Sequence, residues 1–245
     1  MDLGKMDDKA LDLFKRFLNE VTDAYRQPLH SVYITGSALT ADFDPGFSDI
    51  NSVFVLKQMD LNFLSILAPL GKKYGKKRVA APLIMTPAYI KSSLDVFPIE
   101  FLNLKQLHQT VFGEDLFGDI EVKRAELRYQ CERELKVKLI GLRQAYIRSA
   151  GDTRALSENM IASIPAYVPL FRAIIFLLGK EPPAANNDVV DMLHEISNID
   201  MGPFRTVLKH KKAKNRLSLQ SLDALFRDCY NATEKLGDRI DAAVE

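Results

Sequence analysis

Two short β-rich runs, joined through a Gly-Ser pair and a polar turn, constrain the N-terminal half of the chain most strongly. The first run leads directly into Gly36-Ser37, and the second begins at Asp49. Side chains alternate between the two faces of a strand, so Asp49 and Asn51 are expected on one face and Ile50 on the other. The pattern predicts two oxygen ligands side by side at one edge of a small sheet.

These residues resemble the motif of the nucleotidyltransferase superfamily, which includes the aminoglycoside and the minimal nucleotidyltransferases. The family pattern is a Gly-Ser pair, a polar stretch, and then two acidic residues separated by an apolar one, with a third carboxylate on a later strand. Gly36, Ser37 and Asp49 match this pattern, whereas Asn51 stands where the second carboxylate belongs. The resemblance extends over residues 8–118.

The third carboxylate is expected from segment 96–104, which is β-rich and alternates in polarity. We predict a strand there, on which Glu100 takes the family's third position. Asp95, just before the segment, is the alternative. A glutamate in an apolar strand can also be a simple edge charge. Because burial of an unpaired carboxylate is costly, Glu100 requires a solvated cleft, a partner or a metal.

The resemblance implies a chemistry that explains these residue types. Nucleotidyl transfer displaces pyrophosphate from an α-phosphate, and Mg²⁺ held by carboxylates and substrate phosphates meets the developing charge. Asp49 would be the principal ligand of Mg²⁺ or Mn²⁺, Asn51 an uncharged and weaker ligand, and Glu100 a ligand or general base. Gly36 and Ser37 would hold the phosphates of a nucleoside triphosphate, with ATP the expected substrate.

A change in pattern near residue 118 predicts two domains. Residues 1–118 would form the nucleotidyltransferase-like domain, a small mixed β-sheet with flanking helices. Residues 119–245 show long helical periods and predict a helical bundle, so the fold class is α/β plus all-α. A nearly all-apolar helix containing Pro165 and Pro169 is expected at the centre of the bundle, kinked or divided by its prolines. The order of domains resembles kanamycin- and streptomycin-type enzymes, which implies a bundle that closes the acceptor side of the cleft.

Charge and composition narrow the expected partners. Lys and Arg number 33 against 32 Asp and Glu, so no basic field for long nucleic acids is expected. A small-molecule or protein acceptor is favoured instead. The start of the chain lacks the apolar core of a signal peptide, and the most apolar stretch is too short to span a bilayer, so we expect a cytoplasmic protein that does not engage membranes. Two cysteines without characteristic spacing indicate neither disulfides nor zinc.

Other basic and titratable residues leave alternatives open. The basic runs 71–78 and 209–214 are each either solvated surface or a phosphate-binding element. The four histidines show no metal-ligand spacing and are expected to be ordinary surface or turn residues. The sequence does not indicate the oligomeric state.

Three functional hypotheses follow from the sequence. The leading one is Mg²⁺-dependent transfer of a nucleoside monophosphate, AMP if the substrate is ATP, to a hydroxyl of a small molecule or protein. The second, motivated by Asn51, is a catalytically inactive module that binds nucleotide or a partner and regulates it. The third is an antitoxin-like or scaffolding partner in a stable hetero-complex.

Overall fold

The computed structural model describes residues 6–25, 27, 29–213 and 219–242. The chain divides into two compact units, Met1–Val122 and Lys123–Glu245. The first contains a four-stranded mixed sheet with flanking helices, and the second is helical. The predicted fold class, a small mixed sheet followed by a helical region, is confirmed.

The first unit alternates helices with four short strands. Its elements are α1 (Asp8–Ala24), β1 (Leu29–Thr35), a 3-10 turn (Gly36–Leu39), β2 (Asn51–Leu56), α2 (Leu61–Gly75), β3 (Leu83–Met85), α3 (Pro87–Ser93), α4 (Pro98–Gln106) and β4 (His108–Gly113). The sheet order is β3-β2-β1-β4. Strand β1 is antiparallel to β2 and β4, and β2 is parallel to β3.

Helix α1 covers one face of the sheet because its apolar residues recur at helical spacing. Asp7 caps the helix by accepting a hydrogen bond from the Ala10 amide at 2.9 Å. Phe14 and Phe17 are fully buried, and the Phe17 ring meets the Phe54 ring of β2 edge-on with centroids 5.9 Å apart. This packing anchors the middle of β2 and so fixes where the strand begins.

The opposite face of the sheet is covered by α3, α4 and the segment after β4. Tyr33, Val53 and Val55 of the sheet pack there with Phe101 of α4 and with Phe117. Strand side chains alternate, so this is also the face toward which the first residue of β2 points. The predicted site at Gly36, Ser37, Asp49 and Asn51, which we call the mouth, therefore opens on the α4 side of the sheet.

The predicted strand over 96–104 is wrong, because residues Pro98–Gln106 form helix α4. Pro98 occupies the first turn, where its missing amide hydrogen costs nothing, and Glu100 lies in the same turn, where the helix dipole favours a carboxylate. Ile99, Phe101 and Leu102 are all buried, so the helix is apolar on more than one side. A short segment of this kind carries no periodicity that separates helix from strand.

The sequence also did not predict strand β4 or the near-complete burial of its first residue, His108. His108 was expected to be a surface or turn residue, but only 10% of its side chain is exposed. Its Nε2 lies 3.0 Å from Asp115 Oδ1, and its Nδ1 lies 2.7 Å from the Leu104 carbonyl oxygen. The ring also packs edge-on against Tyr33 and Phe117. These partners converge through the β1–β4 pairing, which local sequence does not specify.

The second unit is a bundle of α5 (Arg124–Ser149), α6 (Thr153–Leu177), α7 (Asn186–Ser197), α8 (Gly202–Ala213) and α9 (Leu219–Ala242). Helix α6 packs against each of the other four, so it is the central element, as predicted. Pro165 and Pro169 do not divide it. Arg172, buried within α6, donates hydrogen bonds to the carbonyl oxygens of Pro183 and Ala184.

Both cysteines of the second unit are buried, and neither forms a disulfide. Burial raises the pKa of the Cys229 thiol to about 12, with a smaller contribution from the neighbouring charge of Asp228. A thiol of this kind stays protonated near neutral pH and is a poor nucleophile or metal ligand. Cys229 is therefore a packing residue.

We predict that Ser52→Ala leaves stability unchanged or raises it by about 1 kcal/mol. The Ser52 hydroxyl is buried on β2 and has no hydrogen-bond partner among the described residues. Urea unfolding of Ser31→Ala is the matched control, because the buried Ser31 hydroxyl lies 2.8 Å from the Tyr33 hydroxyl. The control should lose about 1–2 kcal/mol. Equal losses in the two variants would contradict this assignment.

We predict that Asp115→Asn destabilises the protein by about 1 kcal/mol at neutral pH, a value reduced for the partial exposure of the side chain. Burial alone would raise the pKa of Asp115, but the amides of Gly118 and Phe117 and the imidazole of His108 together hold it below its ordinary value. A lowered folded pKa contributes stability above the unfolded pKa and loses it as pH falls through the folded pKa.

The difference between wild type and Asp115→Asn, measured by urea unfolding, should therefore shrink as the pH is lowered from 7 to 3. Asp119→Asn, an exposed neighbour on the same loop, should match wild type at both pH values. A difference between wild type and Asp115→Asn that is the same at both pH values would rule out ionised Asp115 as its origin.

Candidate active site

The glycine turn at the end of β1 forms one side of the predicted mouth. Gly36 has φ of +73°, a conformation that favours glycine, and a Cβ built there would lie 3.9 Å from Asn51 Nδ2. The Gly36 amide donates to the Leu107 carbonyl oxygen at 3.0 Å, so this amide is already used. The Ser37 hydroxyl has no hydrogen-bond partner among the described residues and is half-buried.

Asp49 and Asn51 form the other side of the mouth. Ile50 between them is buried, and its amide and carbonyl oxygen bond to the chain at Arg78 and Ala80 with distances of 2.7 and 3.0 Å. Asp49 and Asn51 are exposed, as strand alternation predicts. Thr35 and Asn51 are direct partners across β1 and β2, so the turn and the Asp-x-Asn segment lie at the same edge of the sheet.

The loop before Asp49 is closed by its own hydrogen bonds. Asp44 accepts from the Gly46 amide through its side chain at 2.8 Å and from the Ser48 amide through its carbonyl oxygen at 2.7 Å. The Asp44 amide in turn donates to the Ser48 hydroxyl at 3.0 Å. This turn, typical for Asp followed by Pro-Gly, delivers Asp49 directly to the strand.

Arg78 is the residue of the mouth that the sequence did not single out. Its Nη1 lies 3.4 Å from Asp49 Oδ1 and 3.2 Å from the Phe47 carbonyl oxygen. Its φ of 65° is left-handed, a conformation uncommon for a residue other than glycine. Only its membership of the basic run 71–78 marked it in advance. With Asn51 neutral, Asp49 and Arg78 balance each other in charge.

The remainder of the run 71–78 is mainly structural. Helix α2 continues to Gly75, with Lys72 and Lys73 in its last turn, where the helix dipole favours cations. Lys73 Nζ lies 2.7 Å from a carboxylate oxygen of Glu20 on α1. Of the second run, 209–214, Lys214 lies outside the described residues.

Glu100 is exposed and lies in the first turn of α4. The other end of this helix approaches Gly36 through Leu107, and seven residues at 1.5 Å each separate Glu100 from that end by about 10 Å. Asp95 lies in the turn before α4. The strand beside β2 is Leu83–Met85, which carries no carboxylate. The strand position that motivated the choice of Glu100 is thus absent from this part of the chain.

The donor set at the mouth limits the kind of metal site it can form. No three His, Cys, Asp or Glu side chains gather as a potential metal site within the described residues. Mg²⁺ typically takes one or two carboxylates and completes its shell with waters and substrate phosphates. The Asp49 carboxylate and the Asn51 carbonyl oxygen fit a Mg²⁺ that arrives with a phosphate group, and they do not fit a site built by protein alone.

A surface groove of about 590 Å³ lies on the second unit between α5 and α9. Arg143 donates two hydrogen bonds to the Tyr230 hydroxyl, and Tyr146 and Arg227 both donate to Asp223. Within the described residues no carboxylate pairs with Arg143. The groove combines aromatic surface with the positive charge of Arg143.

Comparison with known proteins relates this architecture to a solved structure. No protein-family profile and no curated protein sequence matches the chain. Solved structures do match, among them spectinomycin adenyltransferase from Enterococcus faecialis in a crystal structure with ATP and spectinomycin. The sequence identity is 12%, the alignment covers 93% of this chain and 98% of that chain, and the TM-score is 0.54.

At this identity the likeness establishes the fold alone, but it extends over nearly the whole of both chains. It therefore includes the helical half, where the sequence offered no specific motif. The chain thus shares the fold of that spectinomycin adenyltransferase, with Gly36 and Ser37 at the end of β1 and Asp49 just before β2.

Proposed function

We propose that this protein binds a nucleoside triphosphate, ATP in the simplest case, and transfers its nucleoside monophosphate to a hydroxyl of a small molecule or protein. The observation that carries the proposal is the approach of the glycine turn to the Asp-x-Asn segment. Gly36 lies beside Asn51, and Asp49 is exposed at the same edge of the sheet. This edge offers a close backbone approach, a hydroxyl and a carboxylate to one ligand.

The residues of the mouth take separate roles in this proposal. The absence of a side chain at Gly36 leaves room for a phosphate, and the Ser37 hydroxyl donates to a phosphate oxygen. Asp49, with the Asn51 carbonyl oxygen, holds the Mg²⁺ or Mn²⁺ that accompanies the nucleotide. The chemistry that the bound metal supplies is neutralisation of charge on the phosphate oxygens.

Glu100 is the proposed general base or additional metal ligand, and its support is the family resemblance alone. As a base it would take the proton of the acceptor hydroxyl, which requires the acceptor to reach the first turn of α4. Asp95, in the turn before α4, is the alternative carboxylate.

The proposed partners are the nucleotide and a small-molecule or protein acceptor, without long nucleic acids or membranes. The spectinomycin adenyltransferase of similar fold was crystallised with ATP and a small molecule. Among the described helices, α6 alone is long and apolar enough to cross a bilayer. More than half of the most apolar 18-residue segment of α6 is buried in the protein, and the core helix of a bundle meets the same criterion of length and composition.

We place the protein in the cytoplasm.

A second candidate function is a nucleotide-binding regulatory module without catalysis. Asn51 contributes no charge, and the Asp49 carboxylate already has Arg78 as a neighbour at 3.4 Å. Both features weaken the attraction of the mouth for a divalent metal. This candidate predicts that ATP binds and is recovered unchanged.

The transfer reaction is tested with ATP labelled at the α-phosphate, incubated with Mg²⁺ and either spectinomycin or a fractionated cell extract. Wild type should transfer label to an acceptor and release pyrophosphate, and Asp49→Asn should lower the rate by about 100-fold or more. Glu100→Gln should lower it by a similar factor if Glu100 is the base, and Asp95→Asn should do so instead if Asp95 takes that role. Asp119→Asn, an exposed carboxylate outside the proposed site, is the control. ATP binding without labelled product would favour the regulatory module, and no ATP binding would exclude both functions.

We predict that Asn51→Asp lowers the melting temperature in chelator by about 2–4 °C, the shift expected for a loss of about 1 kcal/mol. The new carboxylate shares an exposed face with Asp49, and the repulsion between the two charges destabilises the metal-free protein. Millimolar Mg²⁺ plus ATP should restore the melting temperature, because paired carboxylates bind the metal more tightly. Asn19→Asp, an exposed change on α1, is the control and should show no metal dependence. An Asn51→Asp protein that melts like wild type under both conditions would remove position 51 from the metal site.

A further inference from the structure

We propose that Arg78 is a phosphate-binding residue that exchanges Asp49 for the triphosphate and gives the mouth affinity for nucleotide even without a divalent metal. The inference rests on the proposed nucleotide site and specifies how that site meets the charge of its ligand. Arg78 lies outside the Gly-Ser and Asp-x-Asn motif, in the basic run 71–78 that the sequence leaves open as a phosphate-binding element.

The first support is the backbone at Arg78. Its left-handed φ of 65° is maintained from both sides of the residue. The Arg78 amide donates to the Gly75 carbonyl oxygen at 3.0 Å, and the Arg78 carbonyl oxygen accepts from the Ile50 amide at 2.7 Å. The Val79 amide also donates to the Tyr74 carbonyl oxygen at 3.1 Å, so residue 78 is the left-handed residue of the cap that ends α2. The same hydrogen bonds tie residue 78 to the Asp49-Ile50-Asn51 segment.

The second support is the balance of charge. A mouth with two carboxylates repels a triphosphate until a metal neutralises it. In this chain Asn51 removes one of those negative charges and Arg78 adds a positive one beside Asp49. The mouth can therefore attract a polyanion directly.

The third support is the weakness of the contact that Arg78 would give up. The Arg78–Asp49 pair is a single contact at 3.4 Å, with 44% and 55% of the two side chains exposed. Exposed ion pairs contribute little, so their exchange costs little. A guanidinium can bind a phosphate through two parallel hydrogen bonds, which makes the phosphate the better partner.

The Phe47 carbonyl oxygen keeps the guanidinium in place during the exchange. It accepts from the same Nη1 at 3.2 Å and, being uncharged, does not compete with a phosphate for the positive charge. Release of Asp49 then frees its carboxylate for the metal that accompanies the nucleotide. Arg78 would thus couple phosphate binding to the availability of Asp49.

Calorimetric titration with ATP, in EDTA and in Mg²⁺, tests the role of Arg78 directly. Wild type should bind ATP in EDTA with an affinity within about tenfold of that in Mg²⁺. Arg78→Gly, which suits the left-handed backbone and should fold normally, should weaken binding in EDTA by about tenfold or more, the loss expected for a charge-assisted hydrogen bond. Arg78→Lys should keep part of the affinity as a point charge. Lys76→Gln, an exposed cation of the same turn, should change it less than about twofold.

The outcomes separate this inference from the function on which it rests. Wild-type binding that requires Mg²⁺, or Arg78→Gly binding equal to wild type, would overturn the role of Arg78 and leave the nucleotide site intact. Absence of ATP binding in both buffers would instead overturn the nucleotide site itself. A melting curve for each variant confirms that altered affinity does not reflect unfolding.

Discussion

The antiparallel pairing of β1 with β2 is the constraint on which the candidate site depends. It sets Thr35 opposite Asn51, and from this register the chain continues on one side into the Gly36 turn and on the other back to Asp49. Because strand side chains alternate, a shift of one residue would exchange Asn51 for the buried Ser52 and dismantle the mouth. The packing of α1 on Phe54 holds the register from the opposite face of the sheet.

Elements with strong local signals could be predicted from the sequence, and those defined by tertiary contacts could not. The long helices α1, α5, α6 and α9 and the two motif strands follow from apolar spacing and turn residues. The strand prediction over 96–104 was wrong because a short, nearly all-apolar run fits either a helix or a strand. Its packing against the open face of the sheet, which is a tertiary contact, decided that it forms a helix. Strand β4 and the helix α8 had no predicted counterpart at all.

The same division applies within the candidate site. The motif predicted Gly36, Ser37, Asp49 and Asn51 as one constellation, and the structure brings the glycine turn and the Asp-x-Asn segment to one edge of the sheet. Arg78 could not be predicted, because the parallel bridge between Ile50 and Val79 that carries it there is a long-range pairing. The left-handed residue after a helix is usually a glycine, so an arginine at position 78 gives no sign in the sequence that α2 ends there. Charge balance at the mouth thus emerges only from the folded chain.

The central claim is that this edge of the sheet is a nucleoside triphosphate site. It is tested most directly by a crystal structure with a non-hydrolysable ATP analogue and Mn²⁺, recorded at a wavelength where Mn²⁺ scatters anomalously. We expect the triphosphate against the Gly36-Ser37 turn, with the anomalous peak at the Asp49 carboxylate. An analogue bound at another place, or an empty mouth at saturating concentration of the analogue, would contradict it.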